Sequence, residues 1–160
     1  MTLLINVLAD GTLLLVLGVA AAVILTRLRG RIWEVLPVLV MAGLTSLLVG
    51  KLMSLMYQPA VARPFIELGL TPGAAYVDNP GFPSDHALLG AVAVMAVYQL
   101  GRDRRIAYVL AALVVVMCAA RVVALVHTPL DVIGGLLAGC AGAVWYLKLT
   151  KSAKSGKVTA

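Results

Sequence analysis

Two short stretches concentrate the residues able to do polar chemistry: GFPSDHALLG (Gly81 to Gly90) and ARVVALVHTPLDVIGG (Ala120 to Gly135). They hold both histidines of the chain, His86 and His127, together with Arg121 and two of its seven acidic residues, Asp85 and Asp131. Their surroundings are almost wholly apolar, and an ionisable group at membrane depth is a functional candidate by default. Ser84 and the first backbone N–H groups of a helix opening after Pro80-Gly81-Phe82-Pro83 make a helix N-terminus suited to an anion. Arg63 and Arg121 each offer a planar fork that matches phosphate oxygens, where Lys51 offers a point charge. Asp131 follows His127 by four positions, near enough to reach back to the ring, fix its tautomer and stabilise the imidazolium. A histidine held in this way can accept a phosphoryl group while the second histidine protonates the departing oxygen. Positioning and charge stabilisation then carry most of the rate, and the chemistry calls for no metal.

The elements that must position these groups are membrane helices. The 160 residues are 62% hydrophobic with a mean hydropathy of +1.02, beyond the apolar content of a soluble domain. A formal charge of +6 would suit nucleic-acid binding, but the basic residues fall in clusters between apolar runs, which is a topology signal. Cys118 and Cys140 lie inside apolar segments with no CxxC or Cys/His partner and read as small apolar filler.

The fold expected is all-α, a polytopic membrane bundle of about five transmembrane helices in one domain over residues 1–160, with a basic cytoplasmic tail from about residue 150. The spans run from Leu3 to Thr26, Ile32 to Met56, Ser84 or Asp85 to Leu100, Ile106 to Val126 and Pro129 to Leu149. The third is short for a full crossing, so its first turn is expected within the membrane boundary. Thr128 and Pro129 supply a capping hydroxyl and a proline at the first helical position. Residues 58–84, punctuated by prolines and glycines, form the one long connection, and a connection of that length in so small a chain is usually functional. A lid lying in the headgroup layer is expected over Arg63 to Phe82, with Phe65, Ile66, Leu68 and Leu70 dipping inward.

Arg27, Arg29, Arg31, Arg102, Arg104, Arg105 and the tail lysines Lys148, Lys151, Lys154 and Lys157 account for 10 of the 13 basic residues and fall on one side. The positive-inside rule makes that side cytoplasmic, with the N-terminus outside. The remaining three, Lys51, Arg63 and Arg121, fall at the opposite face with His86, His127 and Asp131. Lys51 and Arg121 each stand about five residues short of the outer end of their helices, so at a rise of about 1.5 Å per residue they share a depth and are placed to face one another across one pocket. Asp10 is expected at the outer headgroup level. Gly135 and Gly139 form a GxxxG pair, read first as close packing within the bundle and second as a homodimer contact.

The order Lys51, Arg63-Pro64, then Pro83-Ser84-Asp85-His86, then Arg121, His127 and Asp131 resembles the three-part signature of the type 2 phosphatidic acid phosphatase (PAP2) superfamily. That signature has a lysine with Arg-Pro, then Pro-Ser-Gly-His, then Ser-Arg with a histidine after five intervening residues and an aspartate after three more. The resemblance implies that His127 is the nucleophile, Asp131 its support and His86 the acid. It further implies that Lys51, Arg63, Ser84 and Arg121 hold phosphate, with Asp85 beside them, and that neither metal nor cofactor takes part. Met56 stands where the family lysine usually lies, Asp85 replaces the usual glycine, Ala120 replaces the usual serine, and the family commonly has six helices.

Asp85 resembles the bacitracin-resistance undecaprenyl-diphosphatase branch. The implied reaction is release of inorganic phosphate from a lipid phosphate at the outer face of the cytoplasmic membrane, in contact with membrane lipids and without nucleic acid. Undecaprenyl diphosphate is the implied substrate, with phosphatidic acid, phosphatidylglycerol phosphate and other prenyl-linked phosphates as alternatives. Two other classes stay open on the residues alone: a small membrane cytochrome ligated by His86 and His127, and a non-enzymatic anion- or lipid-binding protein.

Overall fold

A computed structural model describes residues 2–57, 63–79 and 81–147. The lysine tail and residues 58–62, expected as a basic cytoplasmic segment and as the start of the long connection, lie outside the described residues, as does Pro80. Every regular element described is helical. Four helices are long and apolar enough to cross a membrane: α1 (Leu3–Arg27), α2 (Arg29–Met56), α4 (Arg104–Val123) and α5 (Pro129–Leu147). Between them stands a shorter apolar helix, α3 (Asp85–Gly101), and a single helical turn, Pro64–Glu67, interrupts the connection before it. These limits follow the apolar runs, with two differences. α4 stops at Val123, because the chain turns through Ala124 and a left-handed Leu125 before reaching His127. α1 carries a π-turn at Val7–Gly11, which hydropathy does not reveal.

α3 is the central element, packed against all four long helices. Its composition explains this: Ala87, Gly90, Ala91, Ala93 and Ala96 are all buried and let neighbouring backbones approach from several sides. The closest approach is to α5, where a methyl group added at Gly135 would strike the Ser84 carbonyl and one at Gly139 the Leu88 carbonyl. The GxxxG pair therefore serves packing inside the bundle. Ser46 joins α2 to α5, its hydroxyl donating to the Gly139 carbonyl at 3.0 Å and accepting the Gly142 N–H at 3.1 Å.

The outer surface is apolar in the manner of a membrane protein, with Leu14, Leu15, Leu44, Leu48, Val115 and Leu137 exposed. Cys118 is buried as expected, whereas Cys140 is exposed on the outside of the bundle and fills no core space. At one end of the bundle Arg27 pairs with Asp103 at 2.9 Å and Arg31 with Glu34 at 2.9 Å. At the other end the connection is tied to the turn after α4. The Phe65 N–H donates to the Leu125 carbonyl at 3.1 Å, and the Gly73 N–H to the Ala124 carbonyl at 3.1 Å. Phe65 and Ala74 thereby pack with Ala9, Ala120, Ala124 and Val126. Of the four apolar residues of the expected lid, Phe65 is buried against the protein, whereas Ile66, Leu68 and Leu70 are exposed on its surface.

Candidate functional site

The site is built where the starts of α1, α3 and α5 meet the end of α4. Thr128 caps α5: its hydroxyl accepts the Asp131 N–H at 3.2 Å, and the Asp131 carboxylate accepts the Thr128 N–H at 2.7 Å, a reciprocal capping box. The Asp131 carbonyl in turn accepts the Ser84 N–H at 2.9 Å, so the caps of α3 and α5 are joined directly. This fastening places His86, on the first turn of α3, and His127, just before α5, on the wall of one cavity of about 240 Å³. Arg63, Arg121, Asp85, Asn79 and Tyr76 line the same cavity.

His127 is buried, with Asp131 Oδ2 3.5 Å from its Nδ1. That separation is an electrostatic contact rather than a good hydrogen bond, since the same oxygen already receives the Thr128 amide. Burial pushes the His127 pKa below its ordinary 6.5, the nearby Arg121 and Arg63 cations lower it further, and Asp131 opposes them. The imidazole is thus neutral near pH 7. With Asp131 on the Nδ1 side, Nε2 is left with an available lone pair.

Both arginines are buried and engaged. Arg63 donates from Nη1 to the Val126 carbonyl at 2.6 Å, from Nη2 to the Val77 carbonyl at 2.8 Å and the Asn79 side chain at 2.6 Å, and from Nε to the Asn79 carbonyl at 3.3 Å. It also stands over the Tyr76 ring at 5.3 Å. Arg63 therefore fastens the connection to the turn before His127 as well as bringing charge to the cavity. Arg121 donates from Nη2 to the Ala75 carbonyl at 2.9 Å and from Nη1 to Asp10 Oδ1 at 2.6 Å.

Three buried polar atoms in this region have no hydrogen-bond partner: Ser84 Oγ, Arg121 Nε and His127 Nδ1. Such groups are uncommon in proteins and each costs about 1–3 kcal/mol when left unmade. Ser84 caps α3 by position, yet its hydroxyl makes no capping bond, so the amides of the first turn remain without a side-chain acceptor. Ser84 Oγ, Arg121 Nε and the first amides of α3 are donors of the kind that suit an anion with several oxygens, whereas His127 Nδ1 is turned to Asp131.

Seven of the residues singled out by sequence meet here: Arg63, Ser84, Asp85, His86, Arg121, His127 and Asp131. Lys51 does not join them in one pocket with Arg121. It is exposed and lines a second cavity of about 260 Å³ with Ser54 and Phe82. The physical reason is lateral: α2 packs on α5 and α3, α4 packs on α1 and α3, and the start of α3 stands between the two cations. The equal distance from the helix ends is not found either, since α4 ends two residues after Arg121 and α2 five after Lys51. The two cavities adjoin, with Asn79, Pro83 and Asp85 lining both. Asp85 is exposed at the first position of α3, where its backbone amide, not its carboxylate, suits an anion.

Sequence reasoning placed Asp10 among headgroups. The structure adds that it borders the site, paired with Arg121 and 3.7 Å from His86 Nε2. The signal that could have found it is its isolation: it is the one acidic residue in the apolar run from Leu3 to Thr26.

Compared with curated proteins and with solved structures, the chain finds no match. Residues 31–154 do match the PAP2 superfamily, a stretch that takes in both motif-bearing segments and most of the chain. By that match, this protein belongs to the PAP2 superfamily.

Proposed function

We propose that this protein is a lipid phosphate phosphatase in which His127 attacks phosphorus and His86 protonates the leaving oxygen. Superfamily members are phosphatases, and the apolar helices are those of a membrane protein. The observation that carries the assignment is the single cavity walled by both histidines and both arginines, beside buried polar atoms without partners. His127 Nε2 forms a bond to phosphorus as the P–O bond to the lipid breaks, and the His86 proton passes to the departing oxygen. Water then attacks the phosphohistidine and returns a proton to His86. Arg63, Arg121, Ser84 and the first amides of α3 hold the phosphoryl oxygens through both steps.

The substrate we favour is undecaprenyl diphosphate. What supports this reading is the adjoining cavity with Lys51 on its wall, where a second phosphate, which a diphosphate has and a monoester lacks, would meet a cation. The site lies at the end of the bundle opposite the Arg27–Asp103 pair, and the positive-inside rule puts it at the outer face of a cytoplasmic membrane. No metal has a role in this scheme.

The test is phosphate release from a panel of lipid mono- and diphosphates by purified protein in detergent with EDTA present. Activity that survives chelation, disappears in His127→Ala and is accompanied by a trapped phosphohistidine is the expected result. Dependence on a divalent metal, or turnover undiminished in His127→Ala, overturns the proposal.

A further inference from the structure

Asp10 has no part in the reaction as written, yet the fold goes to some length to place it. It lies within α1, whose mean hydropathy as a candidate span is 2.4, where a carboxylate is costly and rarely without function. The helix departs from α geometry at this point: Val7–Gly11 is a π-turn, a local widening that often accompanies functional positions. The carboxylate then meets three elements at once. Oδ1 accepts from Arg121 Nη1 of α4 at 2.6 Å, and Oδ2 accepts the Ala75 N–H of the connection at 2.9 Å. Oδ1 also lies 3.7 Å from His86 Nε2 of α3. His86 and Arg121 line the cavity, whereas Asp10 does not. It stands behind them.

We infer that Asp10 is a positioning residue for His86, the counterpart on the acid side of Asp131 on the nucleophile side. This rests on the assignment of His86 as proton donor made above. With one imidazole nitrogen turned to Asp10, the other is left to deliver its proton to the oxygen that departs as the N–P bond to His127 forms and the P–O bond breaks. His86 is then neutral and recovers a proton from the attacking water, and no proton passes to or from Asp10. The groups that bear on the His86 ring are Asp10 from α1, Arg121 from α4, His127 from the turn before α5, Arg63 from the connection and Asp85 beside it on α3. Three cationic or titratable nitrogen groups thus surround a ring that must carry a proton. Asp10 supplies the nearby negative charge that opposes them and favours the protonated ring.

The experiment compares Asp10→Asn with the unaltered full-length protein in detergent on two probes, dodecyl phosphate, whose alkoxide needs a proton to leave, and 4-nitrophenyl phosphate, whose phenolate leaves unaided. Asp10→Asn is expected to lower kcat/KM on dodecyl phosphate, which reports formation of the phosphohistidine, by about 10- to 100-fold, the range for loss of an orienting partner. It should move the alkaline limb of that reaction to lower pH, and leave kcat/KM on 4-nitrophenyl phosphate within about threefold of the original. In a His86→Asn background, Asp10→Asn should add no further loss, and Asp10→Glu, which keeps the carboxylate, should recover part of the rate.

Equal losses on both probes, or an undiminished further loss without His86, would show that Asp10 acts through Arg121 or the fold and would overturn this inference alone. If the unaltered protein releases phosphate from no probe or lipid, the phosphatase reading fails and this inference with it.

Discussion

At the level of the single residue the proposed mechanism turns on His127, because only a neutral imidazole can attack phosphorus. Burial holds its pKa below 6.5 while the Asp131 carboxylate pulls the other way. The acid limb of kcat/KM should therefore lie below pH 6.5. Asp131→Asn removes the opposing influence, so the limb should move to still lower pH even as the maximal rate falls, which a pH–rate profile of the variant would read directly. A limb moving upward would contradict the assignment. Linkage gives the stability sign: a histidine whose pKa is depressed on folding contributes stability that is present above about pH 6.5 and lost as pH falls toward the folded value. His86, Arg121 and Ser84 were legible in the sequence because each is a polar residue stranded in hydrocarbon at a recognisable spacing. Asp10 met the first condition and not the second. Its partner Arg121 lies more than a hundred positions away, and no local pattern announces that pairing.

The joined starts of α3 and α5 explain at the level of the elements how the two histidines come together. The Ser84–Asp131 backbone bond and the contact of Gly135 with the Ser84 carbonyl allow almost no space between these helices. Gly135→Val is expected to destabilise the protein by about 1–3 kcal/mol or more through overpacking, seen as earlier thermal unfolding in detergent. It should also lower activity by separating His86 from His127. A variant as stable and active as the original would show that the contact is slack. Hydropathy marked the long helices closely, since a bilayer imposes both length and composition. It marked the connection less well. Phe65, Ile66, Leu68 and Leu70 look alike to any hydropathy scale, but the Phe65–Leu125 backbone bond turns the first toward the protein and leaves the other three outside. Likewise depth along a helix is readable from residue count, whereas rotation about its axis depends on neighbours. That is why Lys51 and Arg121, expected at one level, do not share a cavity.

The charge distribution becomes an orientation at the level of the whole molecule. Arg27, Arg31 and Asp103 gather at one end and the cavity lined by His86, His127, Arg63 and Arg121 lies at the other. In a variant with Cys118 and Cys140 replaced, a thiol introduced by Glu67→Cys should react with an impermeant reagent added to intact cells. One introduced by Gly30→Cys, where space is open, should react only after permeabilisation. The reverse pattern would invert the topology.

The apolar flank of the connection has a kinetic corollary. Ile66, Leu68 and Leu70 stand outward within a few residues of Arg63, so the ground beside the cavity is greasy rather than wet. A lipid arriving there diffuses in two dimensions, and the concentration that governs turnover is its mole fraction among neighbouring amphiphiles. Adding inert detergent at fixed total substrate should accordingly slow the reaction, as crowding a dance floor with strangers delays two partners from meeting.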